Sequence, residues 1–390
     1  MTKVTNGKEK NTVSSKSPRM ANLELLRCVA MMMVVVLHYL GKGNLLADLT
    51  GAELGSVGTA AWIMEAFCIV AVNAYMLISG YFLSTSHFKL SRLIKLYLQL
   101  WFYSVGIGVL GIVTGIFPME QVETHDLLTM IFPVFMDHYW FVSAYVFLYL
   151  FLPFIGGTVQ RMSKKQLQVA LGLLVLAFSL LKSVLPIRLE LDGLGYDCIW
   201  YLCVFFTAAY IRRFGCGIVK NLKRSVGLYV LACLAIWGLT MGLRQVYLHT
   251  GSLGRIIKVA FEYNHILPYL AATGLFGIFL YIKVPEGLGR FINRIAPYTL
   301  GVYLLHENIA VRYAWQNWFY AESINSVVGL LLWTLIAVVV VFAAGILVDM
   351  LRELIMKILH VLFNKVGIYR KAVMWVENVD KSFARDGQEI

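Results

Sequence analysis

Leu23-Glu24-Leu25-Leu26-Arg27-Cys28-Val29-Ala30-Met31-Met32-Met33-Val34-Val35-Val36-Leu37-His38-Tyr39-Leu40 is the first long apolar run of the chain, and Arg27 and His38 lie inside it. A helix of this length nearly spans the hydrocarbon core of a bilayer, about 30 Å. A charged or titratable group at such depth costs several kilocalories and is kept there for a task. Eleven residues turn a helix by about 1100°, three turns plus about 20°, so both side chains share one face, about 16 Å apart along the axis. One helix thus presents a fixed cation towards one membrane surface and an imidazole towards the other. The plainer alternative is an arginine snorkelling to the headgroups and a histidine bonded to a neighbouring helix.

The rest of the chain agrees with a membrane setting. Of 390 residues, 59% are hydrophobic and 14% charged, and the mean hydropathy is +0.72. Soluble domains carry about 25% charged residues. The expected fold is an all-α polytopic membrane protein with about ten transmembrane helices, near 23–40, 58–83, 96–116, 139–157, 167–187, 196–211, 226–243, 264–282, 291–311 and 324–348. Residues 1–22 read as a disordered basic segment, 23–350 as the membrane domain, and 351–390 as a surface-lying amphipathic helix and tail. The first residues lack the apolar core of a cleavable signal. The six cysteines (28, 68, 198, 203, 216 and 233) have neither redox nor metal-ligand spacing, so they read as small core residues and no metal is expected.

Positive charge sets the expected topology. Placing the first terminus, the loops after even-numbered spans and the tail on one side puts 27 of the 34 Lys and Arg there. By the positive-inside rule both termini are then cytoplasmic. The net charge of +12 is a topology signal, and nothing suggests nucleic acid as a partner.

With that topology the buried polar groups fall into two sets. Towards the outer surface lie His38, Glu65, His138, His306 and Glu307. Towards the cytoplasm lie Arg27, Lys89, Arg92 and Lys95. The outer set should converge on one polar cavity, because buried titratable groups need partners or water. One carboxylate, Glu65 or Glu307, should bond a histidine ring nitrogen and set its tautomer. His306 and Glu307 are adjacent on a helix, so at most one of them should point into that cavity. Asp349, at the inner end of the last span, should be solvated.

A basic inner patch and an outer imidazole suit acyl transfer. Arg and Lys would hold the phosphates of a cytoplasmic acyl-CoA, whose thin neutral arm would reach between helices. His38, whose imidazole suits proton transfer near neutrality, would act as base on an external hydroxyl or carry the acyl group. A transporter or flippase is the competing class, since buried charges also mark substrate pathways, but no inverted internal repeat is visible.

Several stretches resemble the acyltransferase-3 family of integral membrane acyltransferases. Arg27 and His38, separated by ten residues, are similar to its signature. Met76-Leu77-Ile78-Ser79-Gly80-Tyr81-Phe82-Leu83, His138-Tyr139-Trp140-Phe141-Val142 and Thr299-Leu300-Gly301-Val302-Tyr303-Leu304-Leu305-His306 resemble its later motifs in the same order. Asn22 to Arg27 resembles the surface-polysaccharide O-acyltransferase branch of Gram-positive bacteria. The resemblance implies a multi-pass protein of the bacterial plasma membrane. It implies an acyl-CoA donor, commonly acetyl-CoA, and an extracytoplasmic sugar or polysaccharide acceptor. On this reading Arg27, Lys89, Arg92 and Lys95 bind the donor, and His38, Glu65, His138, His306 and Glu307 serve catalysis. The family's paired arginines after the second span appear here as Arg92 and Lys95, and Lys keeps the charge but loses the planar fork. No esterase-like domain of the kind fused to some members is expected from these 390 residues, and a hand-off partner would then be separate.

Overall fold

The computed structural model describes residues 20–185 and 192–385, and these form helices joined by loops, with no strand among them. The expected basic segment 1–22 therefore lies largely outside the described residues. In chain order the helices are α1 (Ala21–Lys42), α2 (Gly55–Cys68), α3 (Ala71–Leu83), α4 (Leu90–Trp101), α5 (Gly108–Val113), α6 (Thr124–Ile131), α7 (Trp140–Arg161) and α8 (Lys164–Val175). They continue as α9 (Leu181–Val184), α10 (Cys198–Phe214), α11 (Leu222–Thr250), α12 (Ile266–Tyr281), α13 (Glu286–Ile295), α14 (Thr299–His306), α15 (Val327–Phe363) and α16 (Gly367–Arg385). Polar caps start several of them: Asp197, Asn221 and Ser326 each accept a backbone N–H from three residues on, which satisfies donors that the helix itself leaves free.

Among the described residues seven helical stretches are long and apolar enough to cross a membrane: α1, α2 with α3, α4 with α5, α7, α8 with α9, α11 and α15. The expected spans at 196–211, 264–282 and 291–311 are represented by shorter helices, α10 of 17 residues, α12 of 16 and α14 of 8. The last of these is short for a clear reason. Pro297 sits in a tight turn, Ala296–Tyr298, between α13 and α14, where its missing N–H and its ring end a continuous helix. At the other end α15 runs unbroken for 37 residues, so residues 351–363 of the expected amphipathic segment continue it, and α16 follows as a separate helix.

α1 is the hub of the bundle and packs against α2, α3, α12, α13, α14 and α15. Leu23, Leu26, Ala30, Val35, Tyr39 and Leu40 are fully buried along it. In a membrane, helices gain little from apolar burial alone and rely on close backbone approach. α14 and α15 show this. A Cβ at Gly345 would collide with the Val302 backbone, and one at Gly301 would collide with Asp349 and the Tyr103 hydroxyl.

Asp349 is 1% exposed and not solvated as expected. Gln99 and Tyr103 donate to its Oδ1 at 2.9 and 3.1 Å. Arg352 grips both oxygens at 2.6 and 3.0 Å. A buried carboxylate survives in this setting only with such a full set of donors.

Gly345→Ala should push α15 off Val302 and destabilise the fold by about 1–3 kcal/mol, the usual cost of overpacking. Gly287, where a Cβ meets nothing within 4 Å, is the control. Thermal unfolding in detergent should show a lower Tm for Gly345→Ala and none for Gly287→Ala, and equal Tm values would contradict the tight α14–α15 seam.

Candidate active site

Three of the expected residues meet at one end of α1. His38 Nδ1 lies 2.9 Å from His306 Nε2 and 3.2 Å from Glu307 Oε1. Both neighbours of the adjacent pair therefore reach His38, contrary to the expectation that only one could. The reason is local: α14 ends at His306, and Glu307 is its C-cap with φ −96° and ψ 4°, so the chain has left the helix and turns the carboxylate back.

Hydrogen-bond bookkeeping then fixes the tautomers. His306 Nδ1 is 2.6 Å from the Val302 carbonyl oxygen. A carbonyl only accepts, so Nδ1 carries the proton and Nε2 of the neutral ring presents a lone pair. That lone pair faces His38 Nδ1, which must be the donor, towards His306 and Glu307 together. His38 Nε2 is left with its lone pair, and among the described residues no hydrogen bond is made to it. This is the arrangement of a base whose second nitrogen is held by an orienting group.

Glu307 is 4% exposed and is shared three ways. Lys42 donates to its Oε1, and Arg312 lies 3.4 Å from its Oε2. Arg312 also donates to the His138 carbonyl at 2.9 Å. Lys42 and Arg312 were not foreseen as site residues. Lys42 stands four residues after His38, on the same face of α1, a signal the sequence did contain. Arg312 lies on an irregular turn with no periodicity to point it out.

His138 and Glu65 are placed elsewhere. His138 Nε2 accepts the Ile309 N–H at 3.0 Å, and its ring stacks on Tyr139 at 4.0 Å. Burial, and then the Arg312 guanidinium, push this imidazole down to about 3, so it is a neutral ring that braces the Glu307 segment and does not touch His38. Glu65 makes no bond to any of the histidines. Its Oε2 is buried without a hydrogen-bond partner among the described residues.

His38 lines a cavity together with Met31, Val34 and Leu37 of α1, Val72 and Tyr75 of α3, and Trp140, Phe141, Tyr263, Leu300 and Tyr303. The cavity thus follows α1 away from His38 towards Arg27. Tyr75, at that far end, lies within electrostatic reach of Arg27. Arg27 pairs with the buried Glu24 at 2.6 Å. Arg92 sits over the Tyr149 ring, 5.8 Å from its centroid. Lys89, Arg92 and Lys95 are exposed and make no ion pair among the described residues.

The acyltransferase-3 family model, an acyltransferase domain, matches residues 20–350. The chain belongs to the acyltransferase-3 family. All nine expected site residues fall within that stretch, and no curated protein or solved structure matches the chain. The family and the helices together make it a multi-pass membrane acyltransferase.

His38, His306 and Glu307 also offer ligand atoms within 4.8 Å of one another, a set that could hold a metal ion. Two features disfavour a cation there. Lys42 and Arg312 already neutralise Glu307, and a metal would need the His38 Nδ1 lone pair that the Val302–His306 chain requires to be protonated. Acyl transfer by this acyltransferase-3 protein should therefore survive dialysis against a chelator at an unchanged rate. Loss of activity that zinc restores would replace the hydrogen-bonded pair by a metal centre.

Proposed function

We propose that the protein moves an acyl group, acetyl in the simplest case, from coenzyme A to a hydroxyl of a cell-surface glycan outside a bacterial plasma membrane. One observation carries the reading: a cavity lined by α1 from Met31 to His38 has an unbonded imidazole nitrogen at one end, and Arg27 stands one helical turn beyond Met31 on the same helix. The excess of Lys and Arg on the Arg27 side orients that end to the cytoplasm, where acyl-CoA is made.

Arg27, with Arg92, Lys89 and Lys95, then offers the donor's phosphates a cationic entrance. The largely neutral arm of CoA lies along Met31 and Val34, which spares charged groups the cost of entering the bundle. The thioester arrives beside His38. Nε2 takes the proton of the acceptor hydroxyl as the acceptor oxygen adds to the thioester carbonyl. Glu307, beside Nδ1, stabilises the imidazolium that results. Collapse of the adduct breaks the C–S bond, and the imidazolium returns its proton to the CoA thiolate.

Two variants divide the roles. His38→Ala should insert and unfold as the wild type does, bind CoA, and lose transfer by at least ~10²-fold; wild-type rates in inserted protein would remove His38 from the chemistry. The double variant Arg27→Ala/Arg92→Ala should weaken CoA binding at least ~10-fold in isothermal titration, about 1.4 kcal/mol. Unchanged affinity would make both arginines topology anchors and move the donor entrance elsewhere.

A further inference from the structure

The cavity holds one further polar group that the steps above do not use. Tyr303 stands one helical turn before His306 on α14 and lines the cavity beside His38, with ring centroids 6.3 Å apart. The side chain is 4% exposed, and its hydroxyl is buried with no hydrogen-bond partner among the described residues. Leaving a buried hydroxyl unpaired costs stability, and buried groups are nearly always satisfied. Tyrosine and phenylalanine differ only by that oxygen, so packing alone would be better served by phenylalanine.

The surroundings hold the ring in place. Tyr139 and Phe141 meet it edge-on at centroid distances of 5.9 and 6.1 Å. The backbone amide of Phe141 lies beside the hydroxyl but outside hydrogen-bonding geometry. That amide is in the first turn of α7, where N–H groups have no acceptor within their own helix. Two donors therefore border the same space. The cationic donors of the neighbourhood are unsuited to this place, because Lys42 and Arg312 are bound to Glu307 on the Nδ1 side of His38.

We propose that the Tyr303 hydroxyl donates to the oxyanion formed in the addition step, an assignment that rests on the acyl-transfer reading above. As the attacking oxygen bonds to the thioester carbon, its proton passes to His38 Nε2, and the carbonyl π electrons move onto the carbonyl oxygen. The Tyr303 O–H holds that charge. On collapse the C=O bond reforms, the C–S bond breaks, and the thiolate receives the proton from His38. Both side chains line the same cavity, so a thioester held there would have its carbon towards the base and its oxygen towards the phenol. A fixed dipole in a water-poor cavity stabilises developing charge without reorganising, and such donors act far more on the transition state than on the bound substrate.

Tyr303→Phe tests this, because it keeps the ring and removes only the donor. Purified protein in detergent is given acetyl-CoA with water as the attacking hydroxyl, so that acetate and free CoA thiol form, and the thiol is followed with a thiol reagent, with His38→Ala as the blank. The expected result is a kcat lower by ~10²-fold or more, an unchanged KM for acetyl-CoA, and a Tm equal to or above that of the wild type. Wild-type kcat in Tyr303→Phe would overturn the assignment, and so would a lost rate accompanied by a lowered Tm, which would mark a structural role. If the wild type releases no more thiol than His38→Ala, the acyl-transfer reading itself falls, and the Tyr303 assignment falls with it.

Discussion

One hydrogen bond, from the His306 ring to the Val302 carbonyl, governs the reactive end of this bundle. At 2.6 Å it commits the His306 proton to Nδ1, and every later choice follows from that commitment. The His306 lone pair must face His38, the His38 proton must sit on Nδ1, and the free nitrogen must be Nε2. The bond is within α14 itself, four residues apart along the chain, so it is a property of that short helix. What the rest of the molecule supplies is the position of α14 against α1 and α15. The Gly345 backbone lies directly against Val302, so the helix seam and the histidine tautomer are one mechanical unit.

The irregular segment after α14 completes the site by satisfying groups that an apolar surround would otherwise leave bare. Arg312 joins Glu307 to the His138 backbone. Gln316 reaches the His38 carbonyl at 3.4 Å, and Tyr39 donates to the Phe319 carbonyl at 2.7 Å. Asn308 donates to the Tyr103 carbonyl and to the Tyr139 hydroxyl at 2.8 and 3.2 Å. Non-helical backbone at such depth is tolerated only where protein or a cavity covers it. Here the same bonds that make the segment tolerable also hold Glu307 beside the base.

The shared face of Arg27 and His38 was legible in the sequence because a helical period is regular, and α1 realises it without interruption. The membrane class was legible from composition, and the family resemblance from four stretches in order, since these properties are local or additive. The rest depended on where regularity ends. In the apolar run 291–311 Pro297 is a visible breaker, but nothing announces the C-cap at Glu307, and with that end hidden, His306 and Glu307 looked mutually exclusive. Lys42 follows the helical period of His38, yet nothing local marks it, because its partner, Glu307, is 265 residues away in the chain. Arg312 and the donors around Asp349 are likewise brought together only by folding, as is the isolated hydroxyl of Tyr303. A sequence shows which groups are costly to bury, and only the packing shows how the cost is met.

The tautomer of His38 is the point on which the chemistry turns, and it can be observed without turnover. Nitrogen NMR of the protein with ¹⁵N-labelled histidine, assigned by comparison with His38→Ala and His306→Ala, distinguishes protonated from unprotonated ring nitrogens. The account predicts that both His38 and His306 carry their proton on Nδ1 at neutral pH and that His38 Nε2 has the shift of a bare imidazole nitrogen. A proton on His38 Nε2, with Nδ1 bare, would contradict it, because the nitrogen facing the cavity could then not accept a proton from the acceptor.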